Sequence, residues 1–317
     1  MKIAQNLLFG PALATFLTVT PGFSAPPSAG SSNVPGTPAQ VIVTVQPARG
    51  NTAPDHLEAD DVSIRVGKDP ARVVSSARLA GDLAPVQLFI LLDDSAPSSA
   101  LGVQLPDLKT FIRSLPGNTE VAVGYMRNGS AALAHGFTRD HDQAAASVRL
   151  PLASVGQNGS PYFVLSDLAK HWPSKEAATD PSRRVVLMVT DGVDRYFDNS
   201  EVDDPYVDQA IHEALKEGIL VYSIYLRDTG LYDRGSQTTL FAQSRLQEVS
   251  QETGGYAYFQ AFTDPVSLTP FLSDFQARLN RQYQMKIQAF KKGVQPVQVR
   301  SEMRGIKIEG PTRIYVQ

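Results

Sequence analysis

The 317-residue chain contains no cysteine. That excludes disulfides, zinc–thiolate centres and cysteine nucleophiles. Its absence says little about compartment. No charge of one sign dominates: 29 Lys and Arg stand against 32 Asp and Glu, a net charge of -3. A nucleic-acid-binding chain would carry a basic face or a high pI, so no nucleic-acid partner is expected. Long single-sign charge runs are missing too. After the N-terminus no apolar run is long enough for the ~20 residues of a membrane-spanning helix, so no membrane span is expected in the mature chain. The five histidines, His56, His135, His141, His171 and His212, show no paired-ligand spacing. They are read as surface or internally satisfied residues. What is present is apolar content of 42%, enough to bury a sizeable core. The length fits about two domains.

The N-terminus reads as an export signal. Lys2 is followed by the apolar stretch Leu7 to Leu17, then by small residues at Gly22, Ser24 and Ala25. That is the three-part layout of a secretory signal peptide, here residues 1–25. Cleavage falls after Ser24 or Ala25. The protein is therefore expected to be exported by a Sec-type signal and to be periplasmic, cell-surface or extracellular. Residues 26–40, from Pro26 to Gln40, are rich in Pro, Ser and Gly and read as a disordered linker.

From Val41 the hydrophobic period is two. Val41, Val43 and Val45 form one run, and Val62, Ile64 and Val66 another. Both predict half-buried strands, in an N-terminal β segment over 41–80. The period then changes. Val86 to Leu92 and Arg184 to Thr190 are nearly continuous apolar runs, which predict strands buried on both faces. Helical spacing follows at Leu105 to Leu115, Phe163 to Trp172, Tyr206 to Glu217 and Leu240 to Thr253. Strand–helix alternation over 84–282 predicts an α/β fold: a doubly wound, mostly parallel sheet with helices on both faces. From Tyr283 the period of two returns. The 283–317 segment is expected to pack with 41–80 as a small β-rich extension, because neither carries much apolar surface alone.

Two buried strands end in oxygen-bearing side chains. One runs into Asp93-Asp94-Ser95, the other into Asp191-Gly192. Ligands of open α/β sheets bind beyond such carboxyl ends. If the strands are neighbours, the carboxylates repel, and a hard divalent cation relieves the repulsion. Asp94 and Asp194 read as solvated. Asp and Ser are also common strand-end turn residues.

These motifs resemble the von Willebrand factor type A (vWA) family. Asp93 and Ser95 match the first two positions of its Asp-x-Ser-x-Ser motif. Pro97 stands at the third, with Ser98 directly after it. Ser160, in Asn158-Gly159-Ser160, takes the place of a loop threonine, and Asp191 matches the later aspartate. The likeness extends over about residues 86–282, including Thr253-Gly254-Gly255. With its flanks, the chain resembles the secreted VWFA-related proteins grouped from acidobacterial genomes. The resemblance implies a vWA/Rossmann-like fold and a metal-ion-dependent adhesion site. Its metal residues would be Asp93, Ser95, Asp191, Ser160 and Ser98. The ion would be Mg²⁺, or Mn²⁺ or Ca²⁺, and it would bind an acidic group of a partner protein.

Three functions follow from this reading. The first is a secreted, adhesion-type binding module and not an enzyme. The second is a vWA scaffold that has lost metal binding and meets partners through other surfaces; Pro97 and Ser160 motivate it. The third is a phosphatase-like hydrolase, but Ser95 stands where that chemistry needs a second Asp, and no Gly-x-Ser-x-Gly or P-loop is present.

Overall fold

The computed structural model describes residues 36–48, 52–81, 84–95, 98–152, 159–174, 182–197, 203–226, 236–259 and 267–317. The expected signal peptide and the linker up to residue 35 lie outside the described residues, as do Pro97 and Asn158. The chain runs β1 (Thr37–Pro47), β2 (Val62–Val66), β3 (Asp69–Arg78), β4 (Val86–Asp93), α1 (Ser98–Arg113), β5 (Thr119–Arg127) and β6 (Ser130–Thr138). It continues through α2 (His141–Ala146), α3 (Pro161–Lys170), β7 (Arg183–Thr190), α4 (Pro205–Lys216), β8 (Ile219–Tyr225) and α5 (Ser236–Thr253). It ends with β9 (Ala257–Tyr258), α6 (Thr269–Leu279), β10 (Gln282–Ala289), β11 (Gly293–Ser301), β12 (Ile306–Glu309) and β13 (Arg313–Val316). β1 takes in Thr37 to Gln40, which composition alone assigns to the linker.

The strands form two sheets. One has seven strands in the order β12-β1-β10-β3-β2-β11-β13, and every pairing in it is antiparallel. The other has six, in the order β6-β5-β4-β7-β8-β9. There β5, β4, β7, β8 and β9 are parallel and β6 is antiparallel.

This corrects the fold class expected from sequence. The chain is not a doubly wound parallel α/β sheet with a small extension. Strand outweighs helix, the flanks make the larger sheet, and the other sheet is mixed. The reason lies in the flanking side chains. Val41, Val43, Val45, Ile64, Tyr283, Met285, Ile287 and Val316 alternate onto one face and form their own core. Burying a Val, Ile or Leu side chain contributes about 1.5–3 kcal/mol, so such a face supports a full sheet. At the mixed sheet's edge, Asn128 and Gly129 both have positive φ, as a two-residue hairpin turn requires. They turn β6 back against β5.

The mixed sheet is covered on both faces. Leu88, Ile90 and Leu92 of β4 pack with α1, α2 and α6. Phe89 and Leu91 point the other way, into α3, α4 and α5. That explains why β4, β7 and β8 are apolar almost throughout, and it aims their carboxyl ends at one rim.

Candidate functional site

β4 and β7 are neighbours, with Leu92 opposite Val189. Asp93 therefore stands level with Thr190. Its Oδ2 accepts the Thr190 hydroxyl at 2.9 Å. Its Oδ1 accepts both the N–H of Ser95 at 2.9 Å and the Ser95 hydroxyl at 2.8 Å. Asp93 and Ser95 are buried.

The chain leaves β7 through Gly192, whose φ is +69°. A Cβ there would stand 2.7 Å from the Leu246 side chain and 3.0 Å from Ala242 O. Glycine alone meets both demands. The turn brings Asp191 Oδ1 onto the N–H of Val193 at 3.0 Å. Asp191 Oδ2 accepts from Arg195 Nη2 at 2.8 Å.

Ser160 caps α3, its Oγ accepting the N–H groups of Tyr162 and Phe163 at 3.2 and 3.3 Å. Its hydroxyl donates to Asp194 Oδ2 at 2.5 Å. Asp194 Oδ1 accepts from the N–H groups of Tyr196 and Phe197. Two further bonds join the start of α3 to the turn that follows β7: Arg195 N–H to Gly159 O, and the Tyr162 hydroxyl to Gly192 O. Burial pushes the Tyr162 phenol well above its ordinary pKa.

Hydrogen bonds thus link Ser95 to Asp93 and, through Thr190, Gly192 and Tyr162, on to Ser160, while Asp191 sits in the same turn paired with Arg195. Ser98 opens α1, but its side chain is outside the described residues. Asp94 and Asp194 correct the sequence reading, because both are fully buried. Asp94 can leave water because Arg149 Nη1 lies 2.7 Å from its Oδ1 and Leu152 N–H donates to the same oxygen at 3.0 Å. Arg149 also lies over the Tyr125 ring at 3.8 Å. Asp194 is held by Ser160 and two backbone amides.

Sequence reasoning missed Arg195, Arg149 and the buried pair of Asp204 and Arg245, 3.3 Å apart. Asp204 was detectable: an Asp before Pro205 is a helix-start signal, and Asp204 does cap α4. Burial raises its pKa. The arginines carry no signal of that kind, since their partners are distant in sequence or set by the turn. None of these bonds involves a histidine. His141 Nε2 meets Thr119 O at 2.9 Å, and His171 Nδ1 meets Asp167 Oδ1 at 3.0 Å.

Mg²⁺ takes hard oxygen ligands in octahedral geometry. The donors here are of that type, but their arrangement is not a cage for one. Asp93 is engaged by Ser95 and Thr190, the Ser160 hydroxyl donates to Asp194, and Asp191 faces a guanidinium. Among the described residues no group of three or more His, Asp or Glu is placed to hold a metal ion. As they stand, these residues do not fit a resident divalent cation.

Around this floor lie exposed apolar side chains. Tyr196 is 60% exposed, Leu152 68% and Leu150 46%. Tyr196 stands edge-on to Phe163 at 5.5 Å, and Phe163 lies against Tyr206 at 4.3 Å. The Tyr196 ring fills the place a Cβ on residue 159 would need, which explains Gly159. No helix among the described residues is long and apolar enough to cross a membrane.

No family model matches the chain. No curated protein matches it either. Solved structures with partial similarity include an aerotolerance-related membrane protein from Bacteroides fragilis NCTC 9343 with multiple mutations to serines. It is 17% identical, with 62% of this chain and 98% of that chain covered, at a TM-score of 0.42. The conserved hypothetical protein BatB from Bacteroides thetaiotaomicron is 13% identical, covering 61% and 98%, at 0.41. Manganese-loaded TRAP protein from Plasmodium vivax is 12% identical, covering 74% and 95%, at 0.42. These similarities are too low to assign a family.

Proposed function

We propose that the chain is an exported protein-binding module, not an enzyme, and that it meets its partner at the strand-end face of the mixed sheet. The observation that carries this reading is Tyr196, exposed to solvent yet seated on Phe163 above a buried, hydrogen-bonded floor. Exposed aromatic and aliphatic side chains on a rigid base have the composition of binding hot spots. In this reading the positive charge facing Asp191 is Arg195 itself, and binding needs no metal. The partner packs on Tyr196, Leu150 and Leu152. Export rests on the sequence of residues 1–25.

The test is site-specific photocrosslinking in the source cell, with the crosslinker at position 196. The reading predicts a discrete adduct at 196 and none with the crosslinker at Val74, an exposed apolar position on β3 of the other sheet. Leu152→Ser should weaken the adduct at 196. Equal adducts at 196 and 74, or none at 196, would overturn the reading.

A second reading keeps the divalent cation and the acidic partner group that the vWA resemblance implies. The observation in its favour is the donor type: Asp93, Ser95, Ser160 and Asp191 are hard oxygens tied into one rim. It requires Arg195 to turn away from Asp191. Stabilisation by Mg²⁺ or Mn²⁺ that is reversed by EDTA and absent in Asp93→Ala and Asp191→Ala would support it.

A further inference from the structure

The opposite end of β7 carries another buried cation, with no countercharge among the described residues. Arg183 opens β7 and is only 8% exposed. Its Nη1 donates to Leu279 O at 2.9 Å and to Gln282 Oε1 at 2.5 Å. Both acceptors are neutral. Its Nε has no hydrogen-bond partner. Among the described residues no carboxylate pairs with it. Burial lowers its pKa to about 10, which still leaves it charged at neutral pH. A cation withdrawn from water this far is ordinarily paired.

Arg183 lines a cavity of about 180 Å³ with Leu115, Asn118, Thr119, Gln276 and Asn280. Asn118 Nδ2 donates to Gly81 O at 2.8 Å and Ala84 O at 3.1 Å, which fixes the wall that Gly81 and Ala84 contribute. A water takes about 30 Å³ of liquid volume, so the space exceeds that of one or two waters. A purely structural role would be capping: Nη1 satisfies the Leu279 carbonyl at the end of α6, where a positive charge is favoured. That role uses Nη1 alone, with neutral acceptors, and leaves the charge without a carboxylate among the described residues.

We propose that Arg183 and this cavity form a binding site for a small oxyanion, a carboxylate or a phosphate, which supplies the countercharge to the Arg183 guanidinium where it lines the cavity. A guanidinium is a planar, always-charged donor group whose preferred partners are carboxylate and phosphate oxygens. The site is independent of the strand-end face, so neither proposal depends on the other.

The test is titration calorimetry of the full chain with sodium phosphate and, separately, with sodium acetate, at ionic strength matched by chloride. One-site binding of either anion is expected, and the two arms tell a phosphate site from a carboxylate site. Two variants accompany it: Arg183→Gln, which removes the guanidinium, and Ala84→Leu, which fills the cavity and leaves Arg183 and its cap in place. Each should weaken binding by about tenfold or more. Should Arg183→Gln fail to fold, Ala84→Leu decides alone. Absence of binding of both anions to the native chain, or unchanged binding in Ala84→Leu, would overturn the proposal.

Discussion

Arg195 Nη2 lies 2.8 Å from Asp191 Oδ2, with the two side chains 16% and 7% exposed. The residues are four apart, joined by the turn that Gly192 permits. The pair puts a fixed positive charge beside the carboxylate that the vWA resemblance assigns to a metal ion. The backbone N–H of Arg195 also holds Gly159 O, so the guanidinium arrives on a tethered loop. Breaking the buried pair by Arg195→Ala leaves Asp191 uncompensated and should cost roughly 3 kcal/mol. Arg195→Lys, which keeps the charge, should cost less. Urea unfolding of the three proteins measures this.

Gly192→Ala should destabilise by about 1–3 kcal/mol through backbone strain, and by more because its Cβ meets Leu246. Combining it with Leu246→Ala should cost less than the sum of the two single changes, since Leu246 is the side chain in the way. Strict additivity in a denaturant series would contradict this steric account.

Asp204 and Arg245 form a pair with side chains 0% and 2% exposed. Removing one partner, as in Asp204→Ala, should cost about 3–5 kcal/mol, because the other charge stays buried. Replacing both, as in Asp204→Leu with Arg245→Met, should cost less than either single change. A double-mutant cycle by thermal or urea unfolding reads the difference.

Asp107 of α1 ties down the start of α6, accepting from Ser267 Oγ at 2.5 Å and Leu268 N–H at 2.8 Å. The Ser267 bond is the main cause that holds its pKa below the ordinary carboxylate value. A lowered folded pKa contributes stability above the unfolded pKa, and that contribution is lost as pH falls through the folded one. Asp107→Asn should therefore lower the melting temperature at pH 7 and lose its effect as pH falls through the lowered folded pKa, where the native side chain is protonated too. A difference that persists unchanged at low pH would contradict the assignment.

The parts legible in the sequence were those with local periodicity. Val86 to Leu92 and Arg184 to Thr190 read as buried strands, and they are β4 and β7. The alternation of Val62, Ile64 and Val66 reads as a strand, and it is β2. What alternation cannot give is pairing across more than 200 residues, such as Val43 with Tyr283. Without that pairing the flanks look too small to form the larger sheet. The antiparallel β6 was announced by Asn128-Gly129, a turn signal that the α/β alternation obscured. Within the site, strand-end oxygens were visible because β4 and β7 carry them at the same level. The cations were not, since Arg149 reaches Asp94 across 55 residues and a lone arginine carries no sign of its partner.

The most direct test of the central claim, that the positive charge of this site is Arg195, is a thermal melt of the full chain in Mg²⁺ or Mn²⁺ against EDTA, with Arg195→Ala and Asp191→Ala in parallel. A bound cation at 100 times its dissociation constant stabilises by about 2.7 kcal/mol, roughly 5–10 °C for a chain of this size. The account predicts no shift in the native chain and a gain in Arg195→Ala, where Asp191 is left without its partner. A native shift of that size, reversed by EDTA and absent in Asp191→Ala, would contradict it and assign the site to a divalent cation.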